Sequence, residues 1–156
     1  MTQPPMNNRP LLDVKGLKKH FPIHGGMLGQ VTAKVYAVDG VSFDIKRGET
    51  LSLVGESGCG KSTVGKAILR LFDITEGEVT LDGERIDNMP AGKLRPMRQR
   101  VQVVFQDPFS SLNPRMKVHD ILAEPITNFG LAKNKRELTE KVEALMDKVQ
   151  IGRAHV

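Results

Sequence analysis

Gly55-Glu56-Ser57-Gly58-Cys59-Gly60-Lys61-Ser62-Thr63 is the stretch on which the fold turns. Glycines open it, interrupt it and close it, and Lys-Ser-Thr follows directly, which is the pattern of a phosphate-binding loop. Before it, Thr50 to Val54 is a short apolar run of the kind expected for a strand buried on both faces, ended by Gly55. After it, Val64, Ala67, Ile68 and Leu71 recur on one helical face. Strand, glycine loop and helix is the context that gives the pattern its meaning.

Each residue type has a physical reason to be there. Glycines let successive N–H groups close around an anion without Cβ clashes, and the helix that follows points its positive dipole end at the same place. Lys61 adds a mobile full charge for the β- and γ-phosphates. The Ser62 hydroxyl is placed to coordinate Mg²⁺, a hard ion that prefers oxygen, and Thr63 lies near the α-phosphate. The expected ligand is ATP or GTP with magnesium. A glycine turn that merely joins strand to helix would account for Gly55 and Gly60, but not for Lys-Ser-Thr at the helix start. Cys59 sits among the phosphate-facing residues, so its alkylation is expected to block nucleotide binding sterically.

Working outward, Leu11 to Leu17 and Val35 to Ile45 read as two strands joined by a long loop, Pro22 to Gln30, with a turn at Lys46-Arg47-Gly48. Glu78 to Leu81 followed by Asp82-Gly83 predicts a strand and a tight turn, and Val101 to Phe105 a further strand. Beyond Phe105 the pattern turns helical. Asn134 is placed to cap a helix with Glu137 three residues on, and Leu138, Val142, Leu145, Met146 and Val149 form its apolar stripe.

With 156 residues, 39% of them apolar and 26% charged, the chain is long enough for one globular domain or a piece of one. No run approaches the ~18 apolar residues of a membrane span, and Met1 to Pro10 is polar, without a signal-like apolar region, and is expected to be flexible. A single cysteine excludes an internal disulfide framework and fits a reducing compartment. Lys and Arg number 23 against 18 Asp and Glu, an excess of +5 that could suit nucleic acid but is read as an ordinary solvated surface around a polyphosphate site. His20, His24 and His119 are expected on the surface, without metal-ligand spacing.

A phosphate loop alone does not choose among kinases, GTPases, DNA-repair ATPases and transport ATPases. Together with Ala37-Val38-Asp39-Gly40-Val41-Ser42-Phe43 before it and Val104-Phe105-Gln106-Asp107-Pro108 after it, however, the loop resembles that of ABC transporter ATPases. Gln106 lies 45 residues after Lys61, a separation that suits the family's Q-loop. The resemblance implies an α/β P-loop NTPase fold, an ABC ATPase with a RecA-like core, carrying an antiparallel N-terminal β-subdomain and the start of a helical subdomain. It assigns catalysis to Lys61 and Gln106, the metal to Ser62 and Gln106, and nucleotide contacts to Phe21, Gly55, Glu56, Ser57, Gly58, Cys59, Gly60, Lys61, Ser62, Thr63 and Gln106. Phe21 matches the family's adenine-stacking aromatic, with Tyr36 a weaker match.

The run Gln106 to Met116 is similar to the dipeptide, oligopeptide and nickel importer group, particularly the second of its two paired ATPases. That implies an ATP-binding subunit energising peptide import from the cytoplasmic face of the inner membrane. Its implied partners are two membrane-spanning permease subunits, a second ATPase subunit in a head-to-tail dimer and, indirectly, a substrate-binding protein, with no nucleic acid. A soluble P-loop ATPase acting on DNA and a non-catalytic nucleotide-binding module are the alternatives.

The family's Leu-Ser-Gly-Gly-Gln signature, acidic Walker B strand, catalytic glutamate and switch histidine do not occur in these residues and are expected downstream. The chain alone is accordingly expected to lack appreciable ATPase activity. Residues 11–150 are read as the N-terminal part of the nucleotide-binding domain. Ile151-Gly152-Arg153-Ala154-His155-Val156 is what ATC GGA AGA GCA CAC GTC encodes, a string of a common sequencing adapter, and is read as an assembly artefact.

Overall fold

Alternating apolar and polar residues build a long antiparallel hairpin of β1 (Leu12–Gly25) and β2 (Gln30–Ile45), in a computed structural model that describes residues 9–25 and 30–150. Most of the flexible N-terminus expected at residues 1–10, and the whole of the segment read as an artefact, residues 151–156, lie outside the described residues. The expected loop from Pro22 to Gln30 is largely strand instead, with Pro22 paired to Lys34 and Gly25 to Gln30. The reason is local. β1 pairs with its second neighbour only as far as Lys18, so beyond that point one of its edges carries no ladder and a missing proline N–H is tolerated.

That second neighbour is β3 (Glu76–Leu81), which returns through Asp82-Gly83 into β4 (Glu84–Arg85). Both turn residues have positive φ, 50° and 83°, the geometry that matches the right-handed twist of a two-residue hairpin. The sheet order is β2-β1-β3-β4, antiparallel throughout. Asp82 also receives hydrogen bonds from Arg47 at 2.6 Å and Arg100 at 2.6 Å. The Arg47 guanidinium, helped by Arg100, holds the Asp82 carboxyl below its ordinary range.

Helix α1 (Lys61–Ile68) buries Val64 and Ala67 against Val14, Leu17, Val38, Val79 and Leu81 of the sheet, and Leu94 and Met97 of α2 (Ala91–Met97) belong to the same cluster. Each buried valine, leucine and methionine side chain contributes about 1.5–3 kcal/mol by leaving water. Leu71, expected on the same helical face, falls beyond the end of α1 and is exposed. Asp87 is the buried charge of this layer. Its carboxylate accepts the Val79 N–H at 2.8 Å and faces the Arg85 guanidinium, with Nη2 to Oδ2 at 3.0 Å. Burial pushes its pKa up, but the Arg85 and Val79 hydrogen bonds outweigh that, and the net shift is downward.

The two strands expected at Thr50 to Val54 and Val101 to Phe105 are not strands among the described residues. A run destined to be buried on both faces takes its stability from hydrogen-bonded neighbours and covering layers. Neither run has a ladder partner here, and Val54 and Val104 are 92% and 90% exposed.

The chain divides into two compact units, Met1–Val101 and Gln102–Val156. The second contains α3 (Pro108–Ser111), α4 (Val118–Asn128) and α5 (Lys135–Lys148). Val142 and Met146 of α5 pack with Ala123 and Ile126 of α4, while Leu145 and Val149 of the expected stripe stay exposed. Asn134 caps α5 as its sequence requires, its side-chain oxygen accepting the Glu137 N–H at 2.9 Å. Glu137 answers by accepting the Lys133 N–H at 2.8 Å. No helix among the described residues is long and apolar enough to cross a membrane.

Candidate functional site

The N-terminus of α1 is unusual in what it lacks. Its N-cap is Gly60, with φ 95°, so no side chain caps it, and its first turn holds no acidic residue. The first helical bond runs from the Val64 N–H to the Gly60 carbonyl at 2.9 Å, which leaves the preceding amides of the turn without an intrahelical partner. A Cβ on Gly60 would fall inside the contact distance of the Ala37 carbonyl oxygen, so the left-handed backbone and the crowding both demand glycine. Gly58 is left-handed as well, with φ 82°. Uncapped N–H groups, the helix dipole and two left-handed glycines make a cradle for an anion.

Lys61 lies folded back over this loop. Its ammonium donates to the carbonyls of Gly55 at 2.8 Å and Glu56 at 2.6 Å, and stands 3.5 Å from the Cys59 sulfur. Both oxygen partners are neutral, so the charge is solvated without being neutralised. Cys59 is free and exposed, and a Cβ on Gly55 would come within 2.7 Å of its sulfur. Glu56, Ser57 and Ser62 are exposed and Thr63 is half-buried. The donors and the hydroxyl suit a polyphosphate with a hard divalent cation, the chemistry of MgATP.

Beside the loop opens a cleft of about 340 Å³, lined by Tyr36 to Asp39 of β2, Leu53, Val54, Cys59, Gly60, Lys61 and Val64. Among the two aromatics singled out from the sequence, Tyr36 lines it and Phe21 does not. The Phe21 ring instead stands edge-on to Phe72, 5.5 Å between centroids, with the Lys19 ammonium 4.8 Å above it. His20, expected on the surface, is only 11% exposed at its side chain: it packs on Tyr36 at 4.4 Å and its Nε2 lies 3.4 Å from Asp39. His119 is also largely covered, beside Asp120 at 3.3 Å. No group of metal-ligating side chains occurs among the described residues.

Gln106 belongs to the second unit, where it is exposed just ahead of α3. Its neighbour Asp107 accepts the Ser110 N–H at 3.2 Å and, through its carbonyl, the Ser111 hydroxyl at 2.9 Å, which fixes the turn that carries the glutamine. Sequence reasoning named the loop, the lysine and Tyr36, but gave no role to Leu53 or Val54 in lining a cleft.

A family model described as "ABC transporter" matches residues 38–155. The glutathione import ATP-binding protein GsiA of Salmonella paratyphi A is 44% identical over 150 residues, which are 96% of this chain and 24% of that protein. The oligopeptide transport ATP-binding protein AppF of Bacillus subtilis is 46% identical over 144 residues, 92% of this chain and 44% of that protein. The chain thus spans from a quarter to under half the length of these curated relatives. Among solved structures, the ATP-binding cassette MJ0796 in a dimeric post-hydrolysis state with ADP and Pi superposes with a TM-score of 0.71 at 25% identity, covering 92% of this chain and 59% of that one.

Proposed function

The chain belongs to the ABC transporter family, and on that premise we propose that it is the nucleotide-binding part of an ATP-binding subunit that energises peptide import. The observation that carries nucleotide binding is the start of α1, whose N-cap is a left-handed glycine without a side-chain cap and whose Lys61 is held by two neutral carbonyls beside the Cys59 sulfur. The printed names of the relatives, an import protein for glutathione and a transport protein for oligopeptides, support a peptide as the cargo.

In this reading the amides of Gly58 to Thr63 hold the phosphates and Lys61 exchanges its carbonyl partners for phosphate oxygens. Ser62 would supply an oxygen ligand for Mg²⁺, which when bound would act as a Lewis acid on the terminal phosphate. Gln106, a neutral amide with both donor and acceptor atoms, orients water. The subunit would sit at the cytoplasmic face of the membrane, pair head to tail with a second ATPase subunit and dock on two permease subunits that a substrate-binding protein supplies. The 156-residue chain alone would bind nucleotide without appreciable hydrolysis.

Titration calorimetry with MgATP tests the reading. Lys61→Ala removes a charge-assisted contact of about 1.5–3 kcal/mol, so affinity should fall at least about tenfold. Binding of MgATP by Lys61→Ala at wild-type affinity would refute the site.

A further inference from the structure

Resting on the nucleotide-binding reading above, we infer that Lys19 is a positioning residue for the phosphate cradle: it holds the far end of α1 and, through the helix, sets where Gly60 and Lys61 stand. α1 has eight residues, of which Val64 and Ala67 are buried. Two anchors near the middle of so short a helix fix its depth on the sheet and leave its tilt to whatever holds the ends. The N-terminal end rests on Val38, whose Cγ2 lies 3.6 Å from where a Cβ on Gly60 would fall. Lys19 is the partner of Val38 across the β1–β2 ladder, and such partners share a face of the ribbon. The side chain of Lys19 serves the opposite end of the helix.

That end is closed by two bonds, from the Arg70 N–H to the Ala67 carbonyl at 3.0 Å and from the Leu71 N–H to the Lys66 carbonyl at 3.1 Å. This is the stop that usually carries a left-handed glycine, and here the residue with φ 53° is Arg70. An L-residue is unfavourable there, and the Arg70 guanidinium offsets this by pairing with the Asp73 carboxylate and reaching the Met89 carbonyl at 3.4 Å. Asp73 is held in turn from β1. Its carbonyl accepts the Lys19 ammonium at 2.7 Å, and the same ammonium lies 4.8 Å from the centroid of Phe21 and 5.0 Å from that of Phe72. Two residues on, the Thr75 N–H bonds the Lys18 carbonyl at 2.8 Å and its hydroxyl accepts the His20 N–H at 2.9 Å. The line from strand to cradle is continuous: Lys19, Asp73, Arg70, the axis of α1, Gly60.

Calorimetry with MgATP and with inorganic tripolyphosphate, each below the melting transition of the chain used, tests this. Lys19→Met keeps the apolar stem and removes the charge and the donor. It should weaken both ligands by the same factor, about fivefold or more, the low end of coupling between separate sites. Lys19→Arg, which keeps charge and donor, should restore both, and Phe72→Leu, which removes one of the two rings, should fall between wild type and Lys19→Met. Ile86→Ala controls for general destabilisation, since Ile86 belongs to the same buried cluster but not to the line from Lys19 to α1. It should lower Tm at least as much as Lys19→Met and leave both affinities at wild type. Without any ligand, the amide resonances of Gly58 and Gly60 should shift in Lys19→Met and Phe72→Leu and hold still in Ile86→Ala. Unchanged affinities in Lys19→Met, no rescue by Lys19→Arg, or an equal loss of affinity in Ile86→Ala would each overturn the inference, as would unmoved Gly58 and Gly60 resonances in Phe72→Leu should Lys19→Met not fold. A wild-type chain that binds neither ligand overturns the phosphate site itself, and the role of Lys19 with it.

Discussion

Three glycine-to-alanine substitutions around α1 separate backbone strain from crowding and from ordinary helix propensity. At Gly65, inside the helix, an added Cβ meets nothing within 4 Å, so Gly65→Ala should stabilise the chain by about 0.5–1 kcal/mol. Gly58 has open space too but a φ of 82°, and Gly58→Ala should cost about 1–2 kcal/mol, the penalty of an L-residue in the left-handed region. Gly60 combines a φ of 95° with overlap against the Ala37 carbonyl oxygen, a backbone atom that cannot rotate away. Adding about 1–3 kcal/mol for forced displacement of packed atoms to the same left-handed penalty gives about 2–5 kcal/mol for Gly60→Ala. For a chain of this size, where 1 kcal/mol moves Tm by about 3 °C, that is a drop of about 6–15 °C. Thermal denaturation of the three variants reads the series directly, and calorimetry with MgATP should show at least a tenfold loss for Gly60→Ala, because relief of the overlap must move the first turn of α1. Equal Tm values for Gly60→Ala and Gly65→Ala, with ATP affinity intact, would refute the cradle geometry.

Complete alkylation of Cys59 should abolish ATP binding, since the exposed thiol stands 3.5 Å from the Lys61 ammonium inside the loop; unchanged affinity after full modification, checked by mass, counts against it. Asp87→Ala should destabilise the first unit by about 1–3 kcal/mol, by stranding the buried Val79 N–H and taking from Arg85 one of its two carboxylate partners, and a wild-type denaturation midpoint would contradict that. Because the Asp87 pKa is lowered on folding, its contribution is complete above the unfolded-state value of about 3.9 and is lost as pH falls through the folded value. Stability curves of wild type and Asp87→Asn should therefore converge in acid, and parallel curves would exclude this linkage. Asn134→Ala should cost about 1 kcal/mol through loss of the α5 cap, with hydrogen exchange rising at Glu137 N–H; unaltered exchange there would deny the cap its role.

What was legible in the sequence is what is decided within a few residues. The Gly-Lys-Ser-Thr start of α1, the Asp82-Gly83 turn and the Asn134 cap each follow from local φ demands or from hydrogen bonds spanning three or four positions. The runs Thr50 to Val54 and Val101 to Phe105 have the composition of buried strands, but a strand exists only where another lies beside it, and that condition is not written in the run itself. The burial of His20 was hidden for the same reason, since it depends on Tyr36 and Asp39 across the hairpin.

The β1–β2 ladder also shows why the choice between Phe21 and Tyr36 was beyond alternation. Lys19 pairs with Val38 and His20 with Tyr36, so Ala37 is an extra residue, a bulge opposite the step between two β1 residues. One inserted residue changes which side chains share a face from that point outward. The carbonyl oxygen of this same bulged residue lies where a Cβ on Gly60 would fall. The bulged residue thus lies next to Tyr36, which lines the cleft, and against the start of α1. Deleting Ala37 should consequently disturb both at once, lowering ATP affinity and altering tyrosine emission together, whereas loss of one without the other would mean that the bulge does not couple them.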